Sequence, residues 1–194
     1  MDIDAHLARR VRALRKGRGH SLDALAGLSG VSRSMISLIE RGETSATAAV
    51  LNRLADALGV TLASLFSEPA AGAPSPLSRL SEQAIWTDPA SGYLRRTVSP
   101  RGYASPIELV EVLFPPGETV AFENVVRSAE MHQQVWVLDG AMTITLDDRV
   151  WSLGAGDCLA MTLGRRIVFH NPTGRPARYA VALAAASGGS RRQE

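Results

Sequence analysis

The sequence predicts two domains, an all-α bundle of about five helices followed by an all-β domain of the jelly-roll type. Residues 1–66 contain no Pro and carry apolar residues at helical spacing. Residues 84–186 are rich in Val, Gly and Pro and break into short runs divided by turn signals. Between them, residues 67–83 hold three Pro and little to bury, which reads as an exposed, partly extended linker that lets the domains sit apart. A chain of 194 residues is long enough for two modest cores.

Leu7, Val11 and Leu14 recur at i, i+4 and i+7, with Arg9, Arg12 and Lys16 on the opposite face, and predict a first helix ended by Gly17 and Gly19. Ser21 is placed to cap a short second helix with Leu22, Leu25, Ala26 and Leu28 as its buried stripe, stopped by Gly30. Val31 plugs the turn, Ser32 caps a third helix, and Ile36 and Ile39 anchor it. Arg33, Ser34, Ser37, Leu38 and Arg41 then face away. A fourth helix starts at Thr47, with Val50, Leu51, Leu54, Ala55 and Leu58 inward, and closes at Gly59. A fifth spans about 61–66.

The net charge of +2 is unevenly spread. Residues 1–66 hold nine Arg/Lys against six Asp/Glu, and six of the nine lie between Arg9 and Arg18, a basic face suited to phosphates. A solvated helix surface has the same composition. Cys158 is the sole cysteine, so no intramolecular disulfide forms, and a small buried apolar role is expected for it. No apolar run of signal-peptide or membrane-spanning length occurs, and a soluble, cytoplasmic protein with no membrane partner is expected.

Residues 26–42 read A-G-L-S-G-V-S-R-S-M-I-S-L-I-E-R-G. Small Ala26, Gly30 four residues on, Val31 as plug and the closing I-S-x-x-E-R-G together resemble the XRE family, the helix-turn-helix class of phage repressors and Cro. The resemblance implies that the third helix enters the major groove of double-stranded DNA. It implies base reading by Arg33 and Ser34, secondary contacts at Ser37 and Leu38, and contacts at the helix starts and end by Ser21, Ser32 and Arg41. Leu38 can offer only an apolar contact. Leu22 stands where many members carry a DNA-holding Gln. Glu40 matches a position that pairs with an Arg of the first helix, here Arg15, in a structural role. The bland reading of these residues is a helical bundle used for protein contacts.

Strand-like runs follow at 92–98, 107–114, 120–125, 133–138, 141–146, 150–153, 158–162, 166–170 and 179–184. Pro115-Pro116-Gly117, Asp139-Gly140, Asp147-Asp148, Gly154-Ala155-Gly156-Asp157 and Asn171-Pro172-Thr173-Gly174 divide them. The frame P-P-G, W-V-L-D-G, L-G-A-G-D and F-H-N-P resembles the cupin fold over about 92–184, so the whole is similar to an XRE regulator with a cupin-like sensor barrel. Cupins often hold a transition metal through four ligands. Counting from Gly140 and Gly156, those places carry Arg127, Ala129, Gln133 and Ile167, which cannot supply the imidazole and carboxylate set a divalent ion prefers. No metal and no other cofactor is expected.

Strand parity puts Gln133, Val135 and Val137 inward and His132, Gln134 and Trp136 outward; His170 likewise lies an odd number of residues from Ile167. For His132 and His170, structural hydrogen bonding, an interface role and ligand contact all stay open. The altered pocket suits a small organic effector, with Gln133 and Arg127 fixing its orientation and Trp151 or Phe169 as walls. Alternatively the barrel is a dimerisation body with Trp136 and His132 in the seam of a homodimer. A cupin enzyme fused to a DNA-binding domain is the rival from another class, and no catalytic residue is identified for it. A scaffold or antitoxin-like protein is a further alternative. Residues 187–194 read as a disordered tail.

Overall fold

The structure, a computed structural model, describes residues 3–66, 75–123 and 131–185. The linker residues 67–74, the tail 187–194 and the stretch 124–130 that contains Arg127 and Ala129 lie outside the described residues.

Five helices come first: α1 Ile3–Gly17, α2 Leu22–Ser29, α3 Arg33–Arg41, α4 Ala48–Ala57 and α5 Leu62–Leu65. Each of the last four starts on a hydroxyl cap that accepts a backbone N–H three residues on: Ser21, Ser32, Thr47 and Thr61. Val11, Leu25, Ile36, Leu51, Leu54 and Leu58 are fully buried where these helices meet. Gly30 adopts φ 66° and donates its N–H to Ala26 O, the left-handed stop that a side chain would strain. Leu28 does not join the buried stripe as expected, because Ser29 takes the inward place at i+4 from Leu25. Leu28 is 58% exposed, while the Ser29 hydroxyl donates to Leu25 O at 2.7 Å and accepts from Val31 N at 3.2 Å.

Ten strands follow: β1 Ile85–Thr87, β2 Leu94–Thr97, β3 Ile107–Phe114, β4 Thr119–Glu123, β5 Met131–Asp139, β6 Ala141–Leu146, β7 Arg149–Gly154, β8 Cys158–Thr162, β9 Arg166–His170 and β10 Ala177–Ala185. They make two sheets, β1-β2-β3-β10-β5-β8 and β4-β9-β6-β7. The eight strands from β3 onward are dealt to the two sheets in the order of a double Greek key, the jelly roll of cupin-like domains. Strand β1, and a 3-10 turn at Leu80–Glu82, were not expected from the sequence. Gly140, in the β5–β6 turn, has φ 78°, and a Cβ there would lie 2.9 Å from Ala177 Cα. Asn171, fully buried after β9, ties the β9–β10 connection to the end of β3 by donating to Phe114 O, Pro115 O and Arg175 O.

Cys158 is exposed rather than buried. The parity of β8 turns Leu159 and Met161 inward and sets Cys158 opposite Trp136 on the outer face.

The two domains do not sit apart as the linker composition suggested. α4 packs on β4, and the core runs from one domain into the other. Phe66, at the end of α5, meets Trp86 of β1 at a ring distance of 5.4 Å. The chain of rings continues through Tyr93, Phe114, Tyr179 and Phe169 to Phe122 on β4. Asp88, 2% exposed in the β1–β2 turn, accepts the Ala48 N–H at 2.8 Å and so caps α4 from the other domain. Its second oxygen takes Ser91 N and Ser91 Oγ. Thr61 Oγ1 donates to Glu108 Oε2 at 3.1 Å across the same seam. Pro-rich composition speaks for the linker alone; apolar area on α4, α5 and β1 decides the docking.

Candidate nucleic-acid interface and interdomain cavity

Helix α3 is held from behind and open in front. Ile36 and Ile39 are 0% and 3% exposed, and Glu40, also inward, receives Arg15 Nε at 2.6 Å and Arg15 Nη2 at 2.7 Å, a two-pronged pair. This contact holds the Arg15 guanidinium above its ordinary pKa, through the Glu40 hydrogen bond first and its charge second, against the opposing effect of burial. Arg15 also donates to His20 O at 2.8 Å, tying α1 to the approach of α2. The chain bends by 114° between α2 and α3. That lies within the range of helix-turn-helix units.

The DNA-contact candidates cluster on the open side. Ser32 caps α3 by accepting Met35 N at 3.2 Å, and its hydroxyl lies 3.2 Å from that of Ser34. Ser21 caps α2 by accepting Ala24 N at 3.0 Å. Arg33 is exposed and lies 3.2 Å from Asp23 of α2, a surface pair that holds it weakly and leaves it free to swing. Ser37 and Leu38 are half-buried, one turn further on. Arg41 is engaged by Ser37 Oγ and by both oxygens of Glu43. That contact raises the Arg41 pKa and lowers that of Glu43.

A cavity of about 80 Å³ lies between the sheets at the end covered by the helical domain. Strands β2, β3, β5, β9 and β10 line it with Arg95, Val112, Gln133, Phe169 and Tyr179, while Asn52 of α4 and Thr61, Leu62 and Ala63 of α5 form the remaining wall. On that scale it holds several waters or a molecule of a few heavy atoms. Two of the expected ligand residues, Gln133 and Phe169, are here. The other described ones are not. Trp151 is 42% exposed on β7, His132 is exposed on the outer face of β5, and His170 has its Nδ1 at 3.0 Å from Thr119 Oγ1 and 3.1 Å from Glu118 O. Inward parity on β5 and β9 belongs to Gln133, Ile167 and Phe169, so His132 and His170 turn outward, whereas Trp151 shares the side of Ile144 and Phe169 but sits on the edge strand β7, outside the cavity lining.

Sequence reasoning missed Arg95. It is 6% exposed, inward on β2, with its guanidinium carbon 4.5 Å from the Phe66 ring centre and Nη1 donating to Thr97 Oγ1 at 3.4 Å. Burial lowers its pKa, and the same burial pushes the phenols of Tyr93 and Tyr179 well up. The available hint was parity: Tyr93, Arg95 and Thr97 alternate in the run 92–98, which puts a cation on a strand's inward face.

Residues 11–65 match the HTH_3 model, described as a helix-turn-helix. The N-terminal domain is an XRE-type helix-turn-helix domain. The chain is 41% identical over 69 residues to the HTH-type transcriptional regulator SutR of Escherichia coli, a stretch covering 36% of this chain and 39% of that one. It is 25% identical over 163 residues to the HTH-type transcriptional regulator PuuR of Escherichia coli, covering 84% and 86%. An HTH_3 family transcriptional regulator from Vibrio cholerae, 24% identical, superposes over 94% of this chain and 96% of its own with a TM-score of 0.72, which shows the shared fold.

In the β-domain of this chain the residues at the cupin metal positions do not fit a metal. Ile167 has no donor atom, and the Gln133 amide, with its Nε2 3.9 Å from Met161 Sδ, is a poor ligand alone. Among the described residues no three His, Cys, Asp or Glu side chains cluster to hold an ion. No single helix among them is long and apolar enough to cross a membrane.

Proposed function

We propose that the chain is a sequence-specific DNA-binding transcription regulator whose β-domain binds a small effector. One observation carries the reading: a helix capped by Ser32, anchored by Ile36 and Ile39, and presenting Arg33 and Ser34 to solvent at its N-terminal end. The basic face of α1, with Arg9, Arg12 and Lys16, adds phosphate attraction that does not depend on sequence. Ser21 and the start of α2 contribute a phosphate contact, with Ser37, Leu38 and Arg41 beside the readers. Being similar to named transcriptional regulators supports the assignment. The reading includes no catalysis and no cofactor, and its site of work is the cytoplasm.

Selection of bound fragments from random duplexes tests it. The full chain is expected to enrich a two-fold symmetric site, and Arg33→Ala to lose its sequence preference while keeping weak, salt-sensitive binding. Failure to enrich any sequence at physiological salt removes the assignment and favours a scaffold.

A homodimer is the second element of the proposal, because the outer face of the larger sheet exposes large apolar side chains beside the Arg96–Glu111 and Arg178–Glu111 ion pairs. Trp136 is 51% exposed and Leu109 and Leu113 each 42%, with Ala160, Ala180 and Ala182 beside them in register. His132 sits at the rim of this face. In the proposed dimer the two α3 helices enter adjacent major grooves, whose half-sites lie roughly 34 Å apart. Sedimentation checks it: Trp136→Asp is expected to shift the dimer toward monomer, and an unchanged dimer would move the seam elsewhere.

A further inference from the structure

We infer that the seam between the two domains holds a site for a small monocarboxylate with a short apolar body, with Arg95 as its counter-ion. The inference rests on the sensing role proposed above and supplies the chemistry of its ligand. Arginine carries five N–H donors and stays charged in proteins. Arg95 is 6% exposed, yet among the described residues its hydrogen bonding amounts to the 3.4 Å contact with Thr97 Oγ1. The Phe66 ring attracts its charge from 4.5 Å but leaves most of the N–H fork unused. Glu108 acts on it from a distance and spends an oxygen on the Thr61 hydroxyl at 3.1 Å.

A buried cation without a carboxylate partner is costly, and the cost is relieved when the partner arrives from solution. Further donors stand by. The phenols of Tyr93 and Tyr179 line the same cavity and interact with the Arg95 charge, and neither O–H has a hydrogen-bond partner among the described residues. One guanidinium fork and two phenolic donors match the two oxygens of a single carboxylate. A phosphate dianion would call for a second cation, and Arg95 is the cation among the lining residues. The volume of about 80 Å³ and the Phe114, Phe122 and Phe169 walls set the rest: a few carbons and no second charge.

The site is completed by the helical domain, since Asn52, Thr61 and Ala63 line it and Phe66 covers the guanidinium. A carboxylate that takes the Arg95 fork therefore acts on the contact holding α5 to β2. It binds differently to the docked and loosened arrangements, and that difference is what an allosteric ligand requires.

Calorimetry on the full chain with propionate, butyrate, butyramide and inorganic phosphate tests the site. Butyrate or propionate is expected to bind one per chain, with butyramide and phosphate at least tenfold weaker. Arg95→Met is expected to weaken the acid at least tenfold and, by removing an unpartnered buried charge, to raise the melting temperature of the ligand-free protein. Tyr179→Phe, which keeps the ring packing and deletes one donor, is expected to weaken it several-fold and serves where Arg95→Met fails to fold. Butyramide binding as tightly as butyrate, unchanged butyrate affinity in both variants, or no binding of either acid in the millimolar range overturns the inference. DNA binding is titrated alongside. Acid binding without any change in DNA affinity upholds the site and removes the sensing role. A metabolite extract that alters DNA affinity equally in wild type and Arg95→Met upholds sensing and removes the site.

Discussion

Arg15 in the helical domain and Arg95 in the β-domain are both drawn away from water, and their surroundings differ in kind. Arg15 meets Glu40 through two bonds of 2.6 and 2.7 Å and gives a third to His20 O, so its donors are largely used within the fold. Arg95 has an aromatic face and one long hydrogen bond. The pKa directions follow the same division, raised for Arg15 by its partner and lowered for Arg95 by burial. A buried charge that is closed by its own chain holds structure; one left open in a cavity is available to a ligand.

The sharpest test of the closed pair is Glu40→Ala. It leaves Arg15 without its carboxylate in a place where the side chains are 12% and 6% exposed. The expected loss is about 2–3 kcal/mol of unfolding free energy, between the surface and fully buried limits for ion pairs. Urea denaturation of wild type and variant measures it. A change near zero would mean that the helices are held by Val11, Leu25 and Ile36 with no help from the pair, and the contrast with Arg95 would lose its first half.

Arg33→Ala comes next and acts on a different quantity. Arg33 lies on the open face, paired with Asp23. Specific DNA affinity is expected to fall by about 1–3 kcal/mol, as for loss of a two-pronged guanine contact, with stability changed by less than about 0.5 kcal/mol. Fluorescence anisotropy on the selected site and a melting curve separate the two. Equal affinity for wild type and variant removes Arg33 from base reading.

How much of this was legible follows the range of the causes. Capping, stop and anchor in α2 and α3 are settled within four residues, so Ser21, Gly30, Ser32 and Ile36 were readable, as were the termini of Ile107–Phe114, Ala141–Leu146, Cys158–Thr162 and Arg166–His170 between their turns. Parity correctly turned Gln133 in and His132 out. What failed is non-local. Strand β1 has three residues and too little alternation to announce itself, and Asp88 caps a helix that starts 40 positions earlier. Arg95 gained its meaning from Phe66 of the other domain and from Tyr179, far along the chain. The cavity therefore could be guessed as a place and not as a chemistry.

Asp88→Ala sharpens the part that the sequence hid. It removes the charged acceptor from the buried N-terminus of α4 and releases Ser91. A loss of about 1–2 kcal/mol is expected, the usual range for a helix cap. Because the cap crosses the seam, proteolysis between the domains is expected to quicken while the isolated contacts within each domain persist. A loss of stability without faster cleavage would mean that the aromatic chain from Phe66 to Tyr93 holds the docking by itself.

The smallest expected effect is at Asp23. Its pair with Arg33 spans 3.2 Å between side chains 64% and 76% exposed, so Asp23→Ala is expected to leave stability within about 0.5 kcal/mol of wild type. DNA should feel it more than the fold does. The substitution takes a negative charge from beside the reading helix and frees Arg33 from a competitor for the same guanidinium, so affinity for duplexes of any sequence is expected to rise. The slope of log affinity against log salt should stay close to wild type if Arg33 already leaves Asp23 for DNA, and steepen by about one if Asp23 had held a phosphate-binding charge in check. A fall in DNA affinity would mean that Asp23 orients Arg33 toward its base, and the exposed pair would then belong with the closed contacts such as Arg15 and Glu40.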